Sequence, residues 1–141
     1  MVTDYWPDKE GYVFEGCMVL PCYAASAIAE MACVYLSATT AGNITVENSA
    51  AAGDSHGVAL RAATAAAEVI PVAFNGVVKM IAGCTIALGD SVVGSGTDSA
   101  IIYDCDTFDG AAQITSIHLG IALQAGATTG DEILVLLGGM R

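Results

Sequence analysis

The sequence predicts an all-β protein, folded as a small barrel or sandwich of short strands. Three observations predict this class. One sequence motif, which we call the phrase, occurs twice in the chain. Short apolar runs also recur at close intervals between glycine-containing turns. Hydrophobic residues make up 55% of the sequence, yet aromatic residues make up only 6%, so the core consists of small and branched side chains. Many short strands with such turns are typical of barrels and sandwiches.

The repeated phrase starts with Gly-hydrophobic-Ala-Leu at Gly57 and again at Gly120. It continues through small residues to an acidic residue, and ends in an apolar run followed by glycine. The first copy by itself favours a helix, because residues 62–67 are almost entirely alanine. The second copy has Gly126 and Gly130 in the corresponding segment, and glycines at this density break a helix. We therefore predict a strand, a tight connection and a strand, used twice in one small barrel.

The other strands follow from apolar runs bounded by turn residues. Residues 24–36 are rich in alanine, but residues 28–34 repeat the spacing of residues 86–92, which contain the strong turn dipeptide Gly89-Asp90. The segment is therefore predicted as a strand, a turn and a strand. Further strands are predicted within 12–23 and at 44–46, 58–60, 69–74, 77–81, 85–88, 91–93, 100–103, 113–119, 120–123 and 132–137.

The chain is predicted to consist of an extended arm at residues 1–10 and a single domain at residues 11–141. Its length is sufficient for one domain with its own core. The arm mixes acidic and aromatic residues around a proline, a composition that suits an extended segment. Exposed aromatic side chains often carry binding energy. The predicted partner contacts are Tyr5, Trp6, Tyr12 and Phe14.

Charge and hydropathy exclude several functional classes. The net charge of −11 arises from 15 acidic and 4 basic residues, which disfavours binding to nucleic acid and to anionic membranes. The long apolar runs are interrupted by Glu30 and Lys79, so no membrane span is predicted. The N-terminus lacks the pattern of a signal peptide, which indicates folding in a cytoplasm. Five cysteines without a Cys-x-x-Cys pair are expected to be reduced and buried. They are Cys17, Cys22, Cys33, Cys84 and Cys105.

Ser55 lies in a Gly-x-Ser-x-Gly pattern, which is the pattern of a hydrolase nucleophile. That motif needs an apolar strand before it and a helix after it in a large α/β domain. Here polar and small residues precede Ser55, a strand follows it, and the chain is too short for that fold. A loop before a strand is the favoured interpretation. No cofactor motif is present in the sequence, and the chain is not predicted to be an enzyme.

Two groups of residues could bind a metal ion. Asp104, Asp106 and Asp109 could offer oxygen ligands to a hard cation, but their spacing departs from the EF-hand loop, and an acidic turn is favoured. His56 and His118 precede the two copies of the phrase, and ordinary polar residues at strand edges are favoured there. No metal site is therefore predicted. Asn43 begins an Asn-x-Thr glycosylation sequence, which we expect to be unused without a secretory signal.

The motifs resemble those of a family of small bacteriophage capsid decoration, or cement, proteins. The resemblance rests on Ile-x-x-Gly-Asp-x-Val at residues 86–92 and on the repeated phrase, and it extends over roughly residues 11–139. It implies a β-rich fold, oligomers that are often trimers, and stabilisation of the capsid from its outer surface. The cysteines depart from the family pattern, as do residues 31–32 and 67–68, where the Gly-Asp pairs of the second half are missing.

The expected function is therefore that of a structural virion protein, assembled in the host cytoplasm. Its expected partners are other copies of the same chain and a major capsid protein, with no nucleic acid, membrane or cofactor. The alternative is a self-assembling subunit of an extracellular filament, tube or surface layer. The same composition would serve either function, because both depend on contacts between subunits.

Overall fold

The computed structural model describes residues 18–40, 42–49, 55–94, 101–104 and 119–138, with the backbone alone at 40 and 101–104. These residues form β-strands and no helix, which confirms the all-β prediction. The strands are β1 (Val19–Ala24), β2 (Cys33–Thr40), β3 (Asn43–Asn48), β4 (Gly57–Ala59), β5 (Val69–Ala73), β6 (Gly76–Ala82), β7 (Ser91–Gly94), β8 (Ile101–Asp104), β9 (Gly120–Ala122) and β10 (Glu132–Leu137).

The strands close into two consecutive barrels. The first has the order β1-β3-β2-β4-β5, and the second has the order β6-β8-β7-β9-β10. In each barrel the first and third strands along the chain run parallel, while the other neighbours run antiparallel. Closure pairs the strands that would otherwise be sheet edges, so short strands can form a stable layer.

The second barrel repeats the first strand by strand, with β1 to β5 corresponding to β6 to β10. Bridges between loops repeat as well. Ile28 and Ala63 exchange two backbone hydrogen bonds, and so do Ile86 and Gly126, all at 2.8 to 2.9 Å. The structure therefore differs from the expected single barrel, because each copy of the phrase belongs to its own barrel. The phrase supplies only two strands, and the segment before each copy supplies the other three.

The glycine that opens each copy allows two strands to approach closely. A Cβ atom at Gly57 would lie 2.8 Å from the carbonyl oxygen of Ala73, and a Cβ atom at Gly120 would lie 2.1 Å from that of Leu136. Ala73 and Leu136 occupy corresponding positions in β5 and β10. The glycine at the start of both copies thus reflects the same close approach of two backbone strands in both barrels.

Two sequence differences between the halves leave the turns in place. Gly89 and Gly130 have φ angles of 88° and 98°, and the corresponding Met31 and Ala67 have φ angles of 64° and 70°. The left-handed region costs a residue with a side chain roughly 1–2 kcal/mol. The surrounding hydrogen bonds are nevertheless repeated, since the Ala67 amide donates to the Ala24 carbonyl as the Gly130 amide does to Ala82. The barrel therefore holds these turns without the expected glycines.

Each barrel interior has its own apolar cluster, and one outward row of the first barrel joins the cluster of the second. Cys33, Val58 and Ala73 pair in register across β2, β4 and β5. They are fully buried and belong to the cluster of the second barrel, together with Leu119 and Leu137. The connection between β5 and β6 is only Phe74 and Asn75, which holds the barrels together. The first-barrel cluster comprises Cys22, Ala24, Ile28, Ala32, Val34, Val46, Ala59, Ala63, Ile70 and Val72.

Most predicted strands are confirmed, with bounds shifted by a few residues. Residues 85–88 are an exception, and so is the strand predicted before the turn within residues 24–36, because only the isolated bridges of Ile86 and Ile28 form there. The Asp90 carboxylate accepts a hydrogen bond from the Ala87 amide at 2.8 Å, which turns the chain before a strand can extend. Residues 62–68 form a turn, as the glycines of the second copy predict. The strand predicted at 113–119 lies outside the described residues except for Leu119.

Candidate interaction surfaces

The aromatic residues predicted to contact a partner cannot be placed. Tyr5, Trp6, Tyr12 and Phe14 lie outside the described residues, so their role stays a prediction. The same is true of Asp106, Asp109, His118, Cys17 and Cys105. The division into an arm at 1–10 and a domain at 11–141 likewise stays a prediction.

Ser55 is part of the contact between the barrels. Its side chain is 1% exposed, and its hydroxyl donates a hydrogen bond to Ser49 Oγ at 3.2 Å. Gly94 of the second barrel lies directly against it, because a Cβ atom at Gly94 would be 2.2 Å from Ser55 Oγ. The adjacent His56 uses Nδ1 to accept the Leu36 amide at 3.1 Å. This geometry explains Ser55 as a packing residue, closed off from solvent.

Two further candidate positions lie at strand ends. Asn43 is the exposed first residue of β3, and Asp104 is the last residue of β8. Over the part of the chain that the structure describes, no three His, Cys, Asp or Glu residues group closely enough to hold a metal ion. The same residues include no helix of the length and apolar character that membrane crossing requires. Cys22 and Cys33 are buried as expected, and burial raises the pKa of the Cys22 thiol, whereas Cys84 is only partly buried.

One carboxylate closes the corresponding turn in each barrel. Asp131 Oδ2 accepts the amides of Thr128 at 3.0 Å and Ala127 at 2.8 Å. Glu68 accepts both the hydroxyl and the amide of Thr64. The Thr128 amide is the main cause of a lowered Asp131 pKa, and the Thr64 hydroxyl is the main cause of a lowered Glu68 pKa. These acidic residues therefore serve the turns themselves.

We expect both turns to weaken in acid. A carboxyl whose pKa is lower in the folded state stabilises the fold above its unfolded pKa, and this stabilisation is lost as the pH falls through the folded pKa. The loss should therefore occur below about pH 4, where an ordinary carboxyl titrates. Asp131→Asn should make unfolding less dependent on pH in this range, measured by urea titration at several pH values. Glu132→Gln, on the adjacent exposed position, is the control, because its ion pair with Lys79 is exposed to solvent and such pairs contribute little to stability. An equal effect of the two substitutions would contradict the role of Asp131.

Exposed apolar side chains are concentrated in a few places. At one end of the first barrel, Met18 is 50% exposed and Leu36 is 46% exposed. His56 and Phe74 lie at the same end, because Ala73 at the end of β5 pairs with Val19 and Val58 at the starts of β1 and β4. The Leu36 amide donates to His56, and the Phe74 amide donates to the Met18 carbonyl. We call Met18, Leu36, His56 and Phe74 the first-barrel end. Val69 and the side chains of Leu20, Pro21, Tyr23 and Ile44 line a shallow groove elsewhere on this barrel.

The second barrel has an apolar row on its outer side. Ser91, Ile121, Leu136 and Val77 pair in register across β7, β9, β10 and β6. All four are only partly buried, and the adjacent Leu123 is 40% exposed. We call Val77, Ser91, Ile121 and Leu136 the second-barrel row. The sequence contained a signal for it, because the apolar run of β10 does not alternate with polar residues, as expected for a strand with both faces covered.

Comparison with known proteins identifies the fold. No protein-family model matches the chain, and no curated protein matches it. Among solved structures, the chain is similar to the head fiber gp8.5 N base of bacteriophage phi29. The TM-score is 0.57 at 18% sequence identity, and the match covers 86% of this chain and 93% of that chain. At this identity the likeness concerns the fold alone: the chain has an all-β fold shared with a phage head fiber base.

Proposed function

We propose that this chain is a structural protein of a bacteriophage virion, which forms homo-oligomers on the outside of the capsid and stabilises the shell. The observation that carries the proposal is the fold shared over 86% of the chain with the phage head fiber base. The motif at residues 86–92 and the repeated phrase independently resemble capsid decoration proteins. The proposed partners are further copies of the chain and a major capsid protein.

The described surfaces support a function based on contact and not on catalysis. Two closed barrels leave few unpaired strand edges and present firm surfaces to a partner. Ser55, which carries the only hydrolase-like pattern identified in the sequence, is buried between the barrels. Apolar side chains such as Met18, Leu36 and Leu123 are instead exposed, and exposed apolar patches are typical of interaction sites. The net charge of −11 makes nucleic acid an unsuitable partner.

The nature of the phi29 protein favours a second candidate function. That protein is the base of a head fiber. The chain described here would then attach a fibre to the capsid, with its barrels against the shell. Both candidates place the barrels on the capsid surface. They differ in whether a further fibrous segment is held by the oligomer, which electron microscopy of intact virions would reveal directly.

Capsid binding tests the proposed function. Purified chain is added to capsids assembled from the major capsid protein of the same genome, and bound chain is measured by co-sedimentation and cryo-electron microscopy. We expect saturable binding at symmetric positions, and capsids that resist heat better with the chain than without it. Unrelated acidic proteins of similar size and net charge serve as controls for non-specific adsorption. Absence of binding, together with fibres or tubes formed by the purified chain, would contradict decoration and favour the extracellular filament, tube or surface layer.

The proposed arm can be tested in the same assay. We expect a chain lacking residues 1–10 to bind capsids at least about tenfold more weakly, because aromatic anchors often dominate an interface. The full-length double variant Tyr5→Ala, Trp6→Ala should show most of this loss. The matched control is the double variant Asp4→Asn, Asp8→Asn, which removes two charges from the arm and keeps both aromatic side chains. Binding of the truncated chain at full affinity would show that the arm is not the anchor, and would leave decoration by the barrels intact.

A further inference from the structure

We propose that copies of this chain associate head to tail, with the first-barrel end of one copy seated on the second-barrel row of the next. The contact would repeat, between copies, the arrangement of elements that joins the two barrels within one chain. This inference rests on the proposed function for its setting, and it names the surface by which the oligomer forms. It follows from comparing corresponding positions in the two barrels.

The second-barrel row is the surface that would receive the next copy. It is partly exposed, whereas the corresponding row of the first barrel is buried. In the first barrel, Cys33, Val58 and Ala73 form an outward row that is 0% exposed, because the second barrel packs on it. The corresponding positions in the second barrel are Ser91, Ile121 and Leu136. They are partly exposed, although Ile121 and Leu136 are larger and more apolar than Val58 and Ala73.

A flanking position shows the same difference. Leu60 in the first barrel is partly buried and packs against the shared cluster, whereas the corresponding Leu123 is 40% exposed. The correspondence is supported by hydrogen bonds, since the Leu60 amide donates to Pro71 and the Leu123 amide donates to Leu134, at 2.9 and 2.8 Å. The second barrel therefore carries an apolar surface that none of the described residues covers. The corresponding surface of the first barrel is covered by the second barrel.

The first-barrel end is the surface that would sit on this row, and it differs from its counterpart in the opposite sense. Here the counterpart in the second barrel is the buried one. The end of the second barrel that meets the first barrel includes Gly94, Leu119 and Leu137, all of which are buried. The equivalent positions in the first barrel are Leu36, His56 and Phe74, which make up most of the first-barrel end. The amides of His56 and Leu119 both donate across to β2 or β7, to Val34 at 2.8 Å and to Val92 at 2.9 Å.

Leu36 and His56 are exposed, and Phe74, which packs against the cluster of its own barrel, is partly buried, whereas their counterparts are buried. Leu36 is 46% exposed, and Met18, which corresponds to the start of β6, is 50% exposed. Within the described residues, the apolar end and the apolar row thus have no partner, and these are the two halves of the junction that the chain already contains. This match identifies a second copy of the chain as the occupant. Because the two surfaces differ, the contact is heterologous, and it closes into a ring or continues as a filament according to its rotation.

The contact between copies cannot superimpose atom for atom on the junction within the chain. Leu36 stands where the second barrel has Gly94, which leaves no space for a Cβ atom beside Ser55. The end must therefore sit farther from the row to make room for the leucine side chain. The ion pair of Lys79 and Glu132, at 3.7 Å, lies beside Leu134 and gives the row a charged margin. An apolar centre with a polar margin is typical of protein interfaces.

The experiment uses full-length chains without capsids. Sedimentation velocity over a range of concentrations measures association of the native chain, of Leu36→Glu and of Leu123→Glu. Each substitution places a carboxylate on one side only of the proposed contact. We expect each to weaken association at least about tenfold. Leu88 lies in the second barrel, as Leu123 does, and is 70% exposed. Leu88→Glu is therefore the matched control and should associate as the native chain does. Circular dichroism and thermal unfolding verify that all three variants remain folded.

Mixing the two defective variants distinguishes this contact from a symmetric one. Leu36→Glu retains an intact row, and Leu123→Glu retains an intact end, so one native contact can form between them. We expect an equimolar mixture to form a 1:1 dimer that neither variant forms alone. A symmetric contact would leave the mixture monomeric and would overturn the proposal.

Other outcomes also decide the question. A native chain that is monomeric at all concentrations, or variants that associate normally, would overturn the head-to-tail contact. A native oligomer dissolved equally by Leu88→Glu would do the same. If the arm of the same chain covered the row, removal of residues 1–10 would create association that the native chain lacks, which also overturns it. Association that follows the prediction without capsid binding would keep this contact and contradict only the proposed decoration.

Discussion

Gly120→Ala should lower the free energy of unfolding by about 3 kcal/mol, near the upper part of the range for an added carbon in a packed site. The added Cβ atom would lie 2.1 Å from the Leu136 carbonyl oxygen and 2.8 Å from the carbon of the same carbonyl. Both atoms belong to the backbone of β10, so no side-chain rotation can relieve the contact. β9 and β10 would have to separate. Urea denaturation followed by circular dichroism measures the change.

Two other glycines provide the controls for this prediction. Gly57→Ala meets the Ala73 carbonyl oxygen at 2.8 Å and should cost less, because a smaller movement relieves the contact. Gly89→Ala meets nothing within 4 Å, but its φ of 88° is unfavourable for alanine. It should cost about 1 kcal/mol from conformation alone. If Gly120→Ala were no more destabilising than Gly89→Ala, the close approach of the strands would not be the reason for the repeated glycine.

Gly94→Ala should destabilise the junction between the barrels by about 2 kcal/mol, since it adds an atom to a closed contact. The new Cβ atom would lie 2.2 Å from Ser55 Oγ and 3.2 Å from the Cβ and Sγ atoms of Cys33. Ser55→Ala removes the nearest of these atoms. The double variant should therefore be more stable than the sum of the two single changes predicts, by about 1 kcal/mol or more.

A double-mutant cycle measured by chemical denaturation tests this coupling. Gly130→Ala combined with Ser55→Ala is the matched control, because Gly130 lies in the turn before β10 with nothing within 4 Å of its Cβ position. Distant sites should give additive effects to within about 0.5 kcal/mol. Additive behaviour of Gly94→Ala and Ser55→Ala as well would show that the barrels do not meet at these residues. The cycle therefore tests the junction from which the head-to-tail contact is inferred.

Local patterns in the sequence predicted the backbone well. Glycines at 126 and 130 excluded a helix in the alanine-rich first copy, and the structure has a turn at residues 62–68. The spacing shared by residues 28–34 and 86–92 predicted a turn in both halves, and both turns are present, although Met31 must adopt a φ of 64° without a glycine. These features are predictable because turns and strands depend on neighbouring residues and on short-range periodicity.

The candidate sites depended more on packing between distant segments. Ser55 was rejected as a nucleophile from its flanking sequence, but its place against Gly94 could not be predicted, because the two residues belong to different barrels. The second-barrel row was also missed. Its signal, the unbroken apolar run of β10, indicates two covered faces without indicating what covers them. Candidate residues in the arm remain predictions.

The sequence by itself determined that this protein is all-β, that one phrase is used twice, and that glycines mark its turns. These properties reside in local conformation, which each copy specifies for itself. Only the tertiary structure decided that the copies form two barrels, and that the same outward row is buried in one barrel and exposed in the other. The physical reason is that burial depends on which surfaces meet across the fold. Two similar local patterns can therefore face a neighbouring barrel in one case and solvent in the other.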